Sequence, residues 1–318
     1  MFNEFLDELK EKDIIITFSC GKIQYKGPEQ YINEELISRL KKNKVKLVEH
    51  FWPKECPNII PYNTEGDLRP LILLHAGEYF KISEFLGNRH PYYGLFYIGS
   101  ESEKIRYKNV EAFAEEYLKQ LLHILPEGPF YLGGMSFGGN VAYEMAIRLA
   151  NMGYEVPLLI IGDAGLLAYQ DPYYYRLSKS IIRRCYHIMR YIFERVDYYR
   201  EKFKFELFPS VYFSLPVKRR VRYMIRRYTE LNKKYKPTTE FKGEILLFRA
   251  SENTFNSEYL GWERVCKNIT VVPFQGFHGS LFEDNTGSGS INIIKTHIRD
   301  KLKEIENTKN GSSGNLPH

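Results

Sequence analysis

The chain has 318 residues, 43% of them hydrophobic and 15% aromatic, which allows one large α/β domain plus a smaller unit. No apolar run reaches the length of a membrane span, and the charged, amphipathic N-terminus is unlike a signal peptide, so a cytoplasmic protein without stable membrane insertion is expected. Four scattered cysteines (Cys20, Cys56, Cys185, Cys266) lack C-x-x-C or metal-like spacing and read as reduced thiols, and the formal charge of +6 excludes nothing until it is located.

Residues 1–50 read as a unit of their own. Phe2, Phe5, Leu6 and Leu9 recur at helical spacing. Ile14 to Ser19 is β-branched and aromatic, Cys20-Gly21 turns, and Lys22 to Lys26 alternates, which predicts a hairpin. After Gly27-Pro28 a second amphipathic segment carries Leu36, Leu40, Val45, Leu47 and Val48. So small a unit buries little alone, and is expected to dimerise or to dock on a partner. The stretch "FLDELKEKDIIITFSCGKIQYKGP…INEELISRLKKNKVKLVEHF" resembles the TubC-type N-terminal docking domains of non-ribosomal peptide and polyketide synthases. That resemblance implies that the hairpin captures an acidic C-terminal peptide of an upstream subunit. Lys22 and Lys26 on the second strand would meet it by strand addition and charge, or would merely keep an edge strand soluble.

Residues 51–69 are rich in proline and polar residues and read as a linker. Leu71 to Leu74 is a fully apolar run, the mark of a buried parallel strand, and ends in His75-Ala76-Gly77-Glu78. A helix near Ile82 to Leu86, a strand at Tyr93 to Phe96, and a helix from Val110 to Leu125 follow. Phe130 to Leu132 then runs into Gly134-Met135-Ser136-Phe137-Gly138, with a helix-like segment from Asn140 to Met152. Strand, sharp turn with a serine at its apex, then helix is the arrangement of a nucleophile elbow. Its glycines let strand and helix pass closely, and the Phe137 N–H opens the helix where a developing oxyanion is stabilised. The alternative is a glycine-rich turn whose serine only caps a helix. Pro157 to Ile161 adds another apolar strand. Alternating β and α segments around an elbow predict an α/β-hydrolase with a mostly parallel sheet.

A serine nucleophile needs a base, and the base an orienting carboxylate. Asp163 ends the strand after the elbow helix, 27 residues beyond Ser136, at the sheet edge where active sites of this architecture gather. Asp171 and Asp197 compete but follow no buried-looking strand. Among eight histidines, His278 alone combines the Ser, acid, His chain order with a loop after a strand, Thr270 to Phe274. His75 sits at the right height but precedes the elbow. The second oxyanion donor is expected after the first domain strand, with Gly77 N–H the best candidate and Ala76 or Glu78 as alternatives.

With these pieces placed, residues of about 70–302 resemble the type I thioesterase domains of non-ribosomal peptide and polyketide synthases, through "PLILLHAG", "HPYYGL", "FYLGGMSFGGNVAYEMAIRL", "LLIIGD", "YKPTTEFKGEILLFRA", "LGW" and "PFQGFHGSLF". The resemblance matches Asp163 to the family's acid. Where the family usually has two glycines after its first strand, this chain has Gly77-Glu78, and the run Thr286 to Ser290 is also a departure. The domain is expected to span 70–305, followed by a disordered tail at 306–318.

Residues 165–236 read as a helical insertion. From Arg176 to Lys236 there are 18 Lys/Arg against 5 Asp/Glu, a local charge of +13 that exceeds the chain's total. The resemblance makes this insertion a lid and the partner a small acidic carrier protein bearing phosphopantetheine. Charge steering of such a carrier is the favoured reading. Plain solvation, an anionic membrane surface and nucleic acid rank below it.

The expected function is therefore a thioesterase. It would release an acyl, peptidyl or polyketide chain from a carrier through an acyl-Ser136 intermediate, by hydrolysis or macrocyclisation. No cofactor is expected beyond the carrier's phosphopantetheine. An editing thioesterase or an acyltransferase of the same fold shares the triad, and a non-catalytic carrier-docking adaptor is the reading from another class.

Overall fold

The structure, a computed structural model, describes residues 2–19, 22–43, 46, 47, 50, 56–63, 66–75, 82, 86, 89–97, 107–169, 196, 198–205, 214–281 and 290–312. The N-terminal unit consists of α1 (Phe2–Glu11), the antiparallel strands β1 (Ile15–Ser19) and β2 (Lys22–Lys26), and α2 (Glu34–Lys42). Ser19 pairs with Lys22 at the end of the register; Cys20 and Gly21, where a turn is expected, lie outside the described residues. Asn33 caps α2 by accepting the Leu36 N–H at 2.9 Å. Phe5, Leu9, Ile14, Ile16, Leu36, Leu40 and Leu47 form a small core. Arg39 binds both carboxylate oxygens of Glu8, and with Lys12 it draws that carboxyl down to about 2.

The main body is a seven-stranded sheet in the order β3-β5-β4-β6-β7-β8-β9. Its strands are β3 (Ile59–Asn63), β4 (Leu71–Leu74), β5 (Tyr92–Leu95), β6 (Tyr131–Met135), β7 (Leu158–Gly162), β8 (Glu244–Ala250) and β9 (Ile269–Phe274). All neighbours run parallel except β3, which pairs antiparallel with β5. This corrects the expectation of a linker at 51–69, since β3 lies within it. Proline argued against a strand there, yet an edge strand tolerates Pro61, and the register shifts beside it. The strand expected at Tyr93 to Phe96 lies one residue earlier.

Apolar side chains cover both faces. On one side α3 (Val110–Ile124), α4 (Phe137–Asn151) and α5 (Val217–Asn232) pack through Phe113, Tyr117, Val141, Met145 and Tyr228. On the other, Ile294, Ile298 and Leu302 of α6 (Ser290–Ser312) join Ile82 and Leu86. Helix α6 carries the ordered chain past the expected boundary at 305, because extending an existing helix costs far less than starting one. Of the expected insertion at 165–236, the described parts include a 3₁₀ turn at Leu167–Tyr169, a helical stretch over 198–205, and α5. Asp171 and Asp197 lie outside the described residues.

Candidate active site

The elbow follows from the packing of β6 against α4. A Cβ on Gly134 would stand 2.2 Å from the carbonyl oxygen of Gly138, and one on Gly138 would stand 2.6 Å from that of Leu74. Only glycine permits the two segments to cross this closely. Helix α4 starts at Phe137, three residues earlier than its sequence pattern indicates, directly after the serine. Ser136 is forced to φ 55°, ψ −125°, a conformation that costs an L-residue of order 1–3 kcal/mol. Its N–H donates to Gly162 O and its carbonyl accepts from Gly139 N–H, both at 3.0 Å, so the turn is braced from both sides.

Asp163 leaves β7 in the left-handed region (φ 45°) with only 2% of its surface exposed. A buried carboxylate must have its oxygens satisfied, and here both are. Oδ1 accepts the Ala250 N–H at 2.9 Å and the Asn253 amide at 2.8 Å, while Oδ2 faces His278 Nδ1 at 2.9 Å. Trp262 Nε1–H donates to Ala164 O at 2.6 Å and secures the backbone just beyond the acid. His278 opens a 3₁₀ turn after β9, and its side chain is half exposed. Ser136, Asp163 and His278 line one cleft, with Thr229 and Asn232 of α5 and with Glu252, Asn253 and Phe277. With Nδ1 held by the carboxylate, the remaining ring nitrogen of His278 is the one able to take a proton from a nucleophile.

Of the two expected oxyanion donors, Phe137 supplies the first N–H of α4, where the helix dipole favours negative charge. Gly77 lies outside the described residues, as do Ala76 and Glu78. Lys22 and Lys26 are on β2 in the N-terminal unit, and Lys26 is exposed.

His75 is fully buried beneath this site, and burial pushes its imidazole down to about 3. Tyr117 O–H donates to Phe96 O at 2.6 Å, so its oxygen accepts from His75 Nε2–H at 2.8 Å and the ring is neutral. The ring stacks on Tyr97, Phe137 and Tyr228, which puts it in an aromatic layer rather than in the cleft. Sequence reasoning overlooked Asn253 and the Asn140–Asn232 amide contact (2.7 Å) that ties the elbow helix to α5. For Asn253 a usable signal existed: a polar residue just past the apolar strand β8, the neighbour of the acid-bearing strand.

Residues 75–177 match the thioesterase domain family, a stretch that contains Ser136 and Asp163. Over 111 residues the chain is 38% identical to a dimodular nonribosomal peptide synthase of Bacillus subtilis (strain 168), covering 33% of this chain and 5% of that protein. It is 36% identical over 111 residues to malpibaldin synthetase of Mortierella alpina, covering 33% of this chain and 2% of that protein. This chain thus spans a small fraction of the length of these relatives. In fold, it is similar to the NocB thioesterase domain from the nocardicin cluster, with a TM-score of 0.55 at 23% identity over 75% of this chain and 97% of that one. The surfactin-cyclising thioesterase domain SrfTE gives a TM-score of 0.51 at 15% identity, over 78% and 97% of the two chains. The fold is thus the thioesterase-type α/β fold with a mostly parallel sheet.

Proposed function

We propose that this protein is a serine-dependent thioesterase that releases an acyl or peptidyl chain from the phosphopantetheine arm of a carrier protein. The observation that carries the reading is the convergence, in one cleft, of an elbow-mounted Ser136 with a His278 ring whose Nδ1 is held by buried Asp163. In this reading the Ser136 hydroxyl gives its proton to His278 Nε2 as Oγ attacks the thioester carbonyl. Phe137 N–H and a donor from the segment after β4, Gly77 being the candidate, stabilise the oxyanion. The C–S bond then breaks, and the imidazolium returns its proton to the departing thiolate. Asp163 fixes the ring and stabilises its cation. Water, or a nucleophile of the chain itself, releases the acyl-Ser136 ester with His278 as base.

The first 50 residues serve in the same reading as a docking unit for the C-terminal peptide of an upstream synthase subunit. Among the described residues the β1–β2 hairpin is a two-stranded sheet, and Lys26 is exposed on β2, which suits strand addition by an acidic segment. The basic stretch around α5 steers an acidic carrier towards the cleft. On α5, Arg219, Arg222 and Arg226 fall at i, i+3 and i+7, and Arg219 and Arg222 are exposed.

Intact mass spectrometry after mixing with an acyl-phosphopantetheine mimic tests the chemistry. The wild-type chain is expected to gain one acyl mass, and Ser136→Ala to gain none and lose about four orders of magnitude in turnover. Thioester turnover retained in Ser136→Ala would overturn the assignment.

A further inference from the structure

Asp163 has three hydrogen-bond partners, and the proposed reaction uses only one of them, His278. Ala250 contributes its backbone N–H, which any residue but proline would supply at that position. Asn253 contributes a side chain: its oxygen closes a local turn by accepting from Phe255 N–H, a role an aspartate could also fill, while its NH₂ group reaches Asp163.

That amide cannot turn over. Phe255 N–H donates to Asn253 Oδ1 at 2.9 Å, which commits the oxygen to the backbone and the NH₂ group to Asp163 Oδ1. The reversed amide would set N–H against N–H and oxygen against carboxylate. The surrounding loop is braced as well. Asn253 N–H donates to Ala250 O at 3.0 Å, and Arg249 donates to the carbonyls of Phe255 and Ser257 at 3.1 and 2.8 Å. Ser251 N–H donates to Phe274 O at 2.9 Å and Glu252 N–H to Gly276 O at 3.1 Å, which ties this loop to the segment leading into His278.

We infer that Asn253 is a positioning residue: its amide anchors Oδ1 of Asp163 and so fixes how the other oxygen, Oδ2, is presented to the His278 ring. The inference rests on the triad reading above. A donor on Oδ1 draws negative charge away from Oδ2. Without it more of the negative charge stays on Oδ2, and the carboxylate interacts differently with the imidazolium. Glu252 is the one other titratable side chain lining this cleft among the described residues, and its charge is common to wild type and to the variants below.

The experiment is an NMR titration of the histidine Cε1–H signals in the full chain, with His278 assigned by comparison with His278→Gln. It is paired with the pH profile of kcat/KM on an acyl-N-acetylcysteamine thioester. In Asn253→Ala the His278 titration is expected to differ from wild type, and in Asn253→Asp, with a second carboxylate beside the first, to differ further. The acidic limb of kcat/KM should follow it, with KM unchanged. Asn253→Asp is nearly isosteric, so it serves if Asn253→Ala does not fold. A His278 midpoint and an acidic limb that coincide with wild type in a folded variant would overturn the proposal. The NMR arm reads the Asn253–Asp163–His278 coupling without turnover, so failure of the thioesterase reading alone is recognised as an inactive wild type whose His278 still responds to Asn253.

Discussion

His75 shows how burial separates two histidines that a residue count treats alike. It sits at the edge of the sheet next to the elbow, yet its ring is sealed among Tyr97, Tyr117, Phe137 and Tyr228 and stays neutral. This has a consequence for acid stability. The folded protein holds His75 unprotonated down to about pH 3, whereas the unfolded chain protonates it near its ordinary value of 6.5. Stability from this group is therefore complete above pH 6.5 and declines as the pH falls towards 3. At pH 5 the loss reaches about 2 kcal/mol. Urea unfolding at pH 7 and pH 5 is expected to show a smaller drop in His75→Gln than in wild type. Equal drops would mean that His75 does not stay neutral in the folded protein. Chain order already separated His75 from His278 in the sequence, but the reason for its neutrality lies in side chains drawn from four different segments, which no local pattern reveals.

At the scale of elements, legibility followed the range of the interactions. The elbow was readable because the motif lies within one continuous stretch, Gly134 answering to Gly138 four residues on, even though Gly138 in turn answers to Leu74 of β4. The hairpin β1–β2 was readable for the same reason. Strand β3 was not: its partners in β5 lie 29 to 36 residues on, and two prolines at 57 and 61 obscured the alternation. The partners of Asp163 were equally hidden, since Ala250 and Asn253 are 87 and 90 residues away. The N-terminal unit has its own core and its own Glu8–Arg39 tie between α1 and α2. Deleting residues 1–50 is accordingly expected to leave kcat/KM on a small thioester within about twofold, because no proposed catalytic group lies there, and to abolish pull-down of an upstream subunit's C-terminal peptide. Loss of small-thioester activity in a folded truncation would show that the unit serves the active site itself.

For the whole molecule, the two neighbouring strands at the heart of the site are far apart in the chain. Gly162 of β7 pairs with Phe248 of β8, 86 positions later, whereas β6 meets β7 across only 27, from Met135 to Gly162. Contacts of long sequence separation close late in folding. Ser136 and Asp163, the proposed nucleophile and acid, therefore follow a strand pair that forms before the strands that deliver Asn253 and His278 have docked. Ser136 labelling by a fluorophosphonate during refolding is expected to lag behind the recovery of helical circular dichroism; simultaneous recovery would contradict this order. On the ribosome the same order means that a chain emerging from the exit tunnel carries the proposed nucleophile, Ser136, before it carries the proposed base, His278. In the proposed reading, a growing chain stays chemically silent until His278, 142 positions after Ser136, has been made and docked. That delay comes from nothing more than where along the polypeptide the histidine was written.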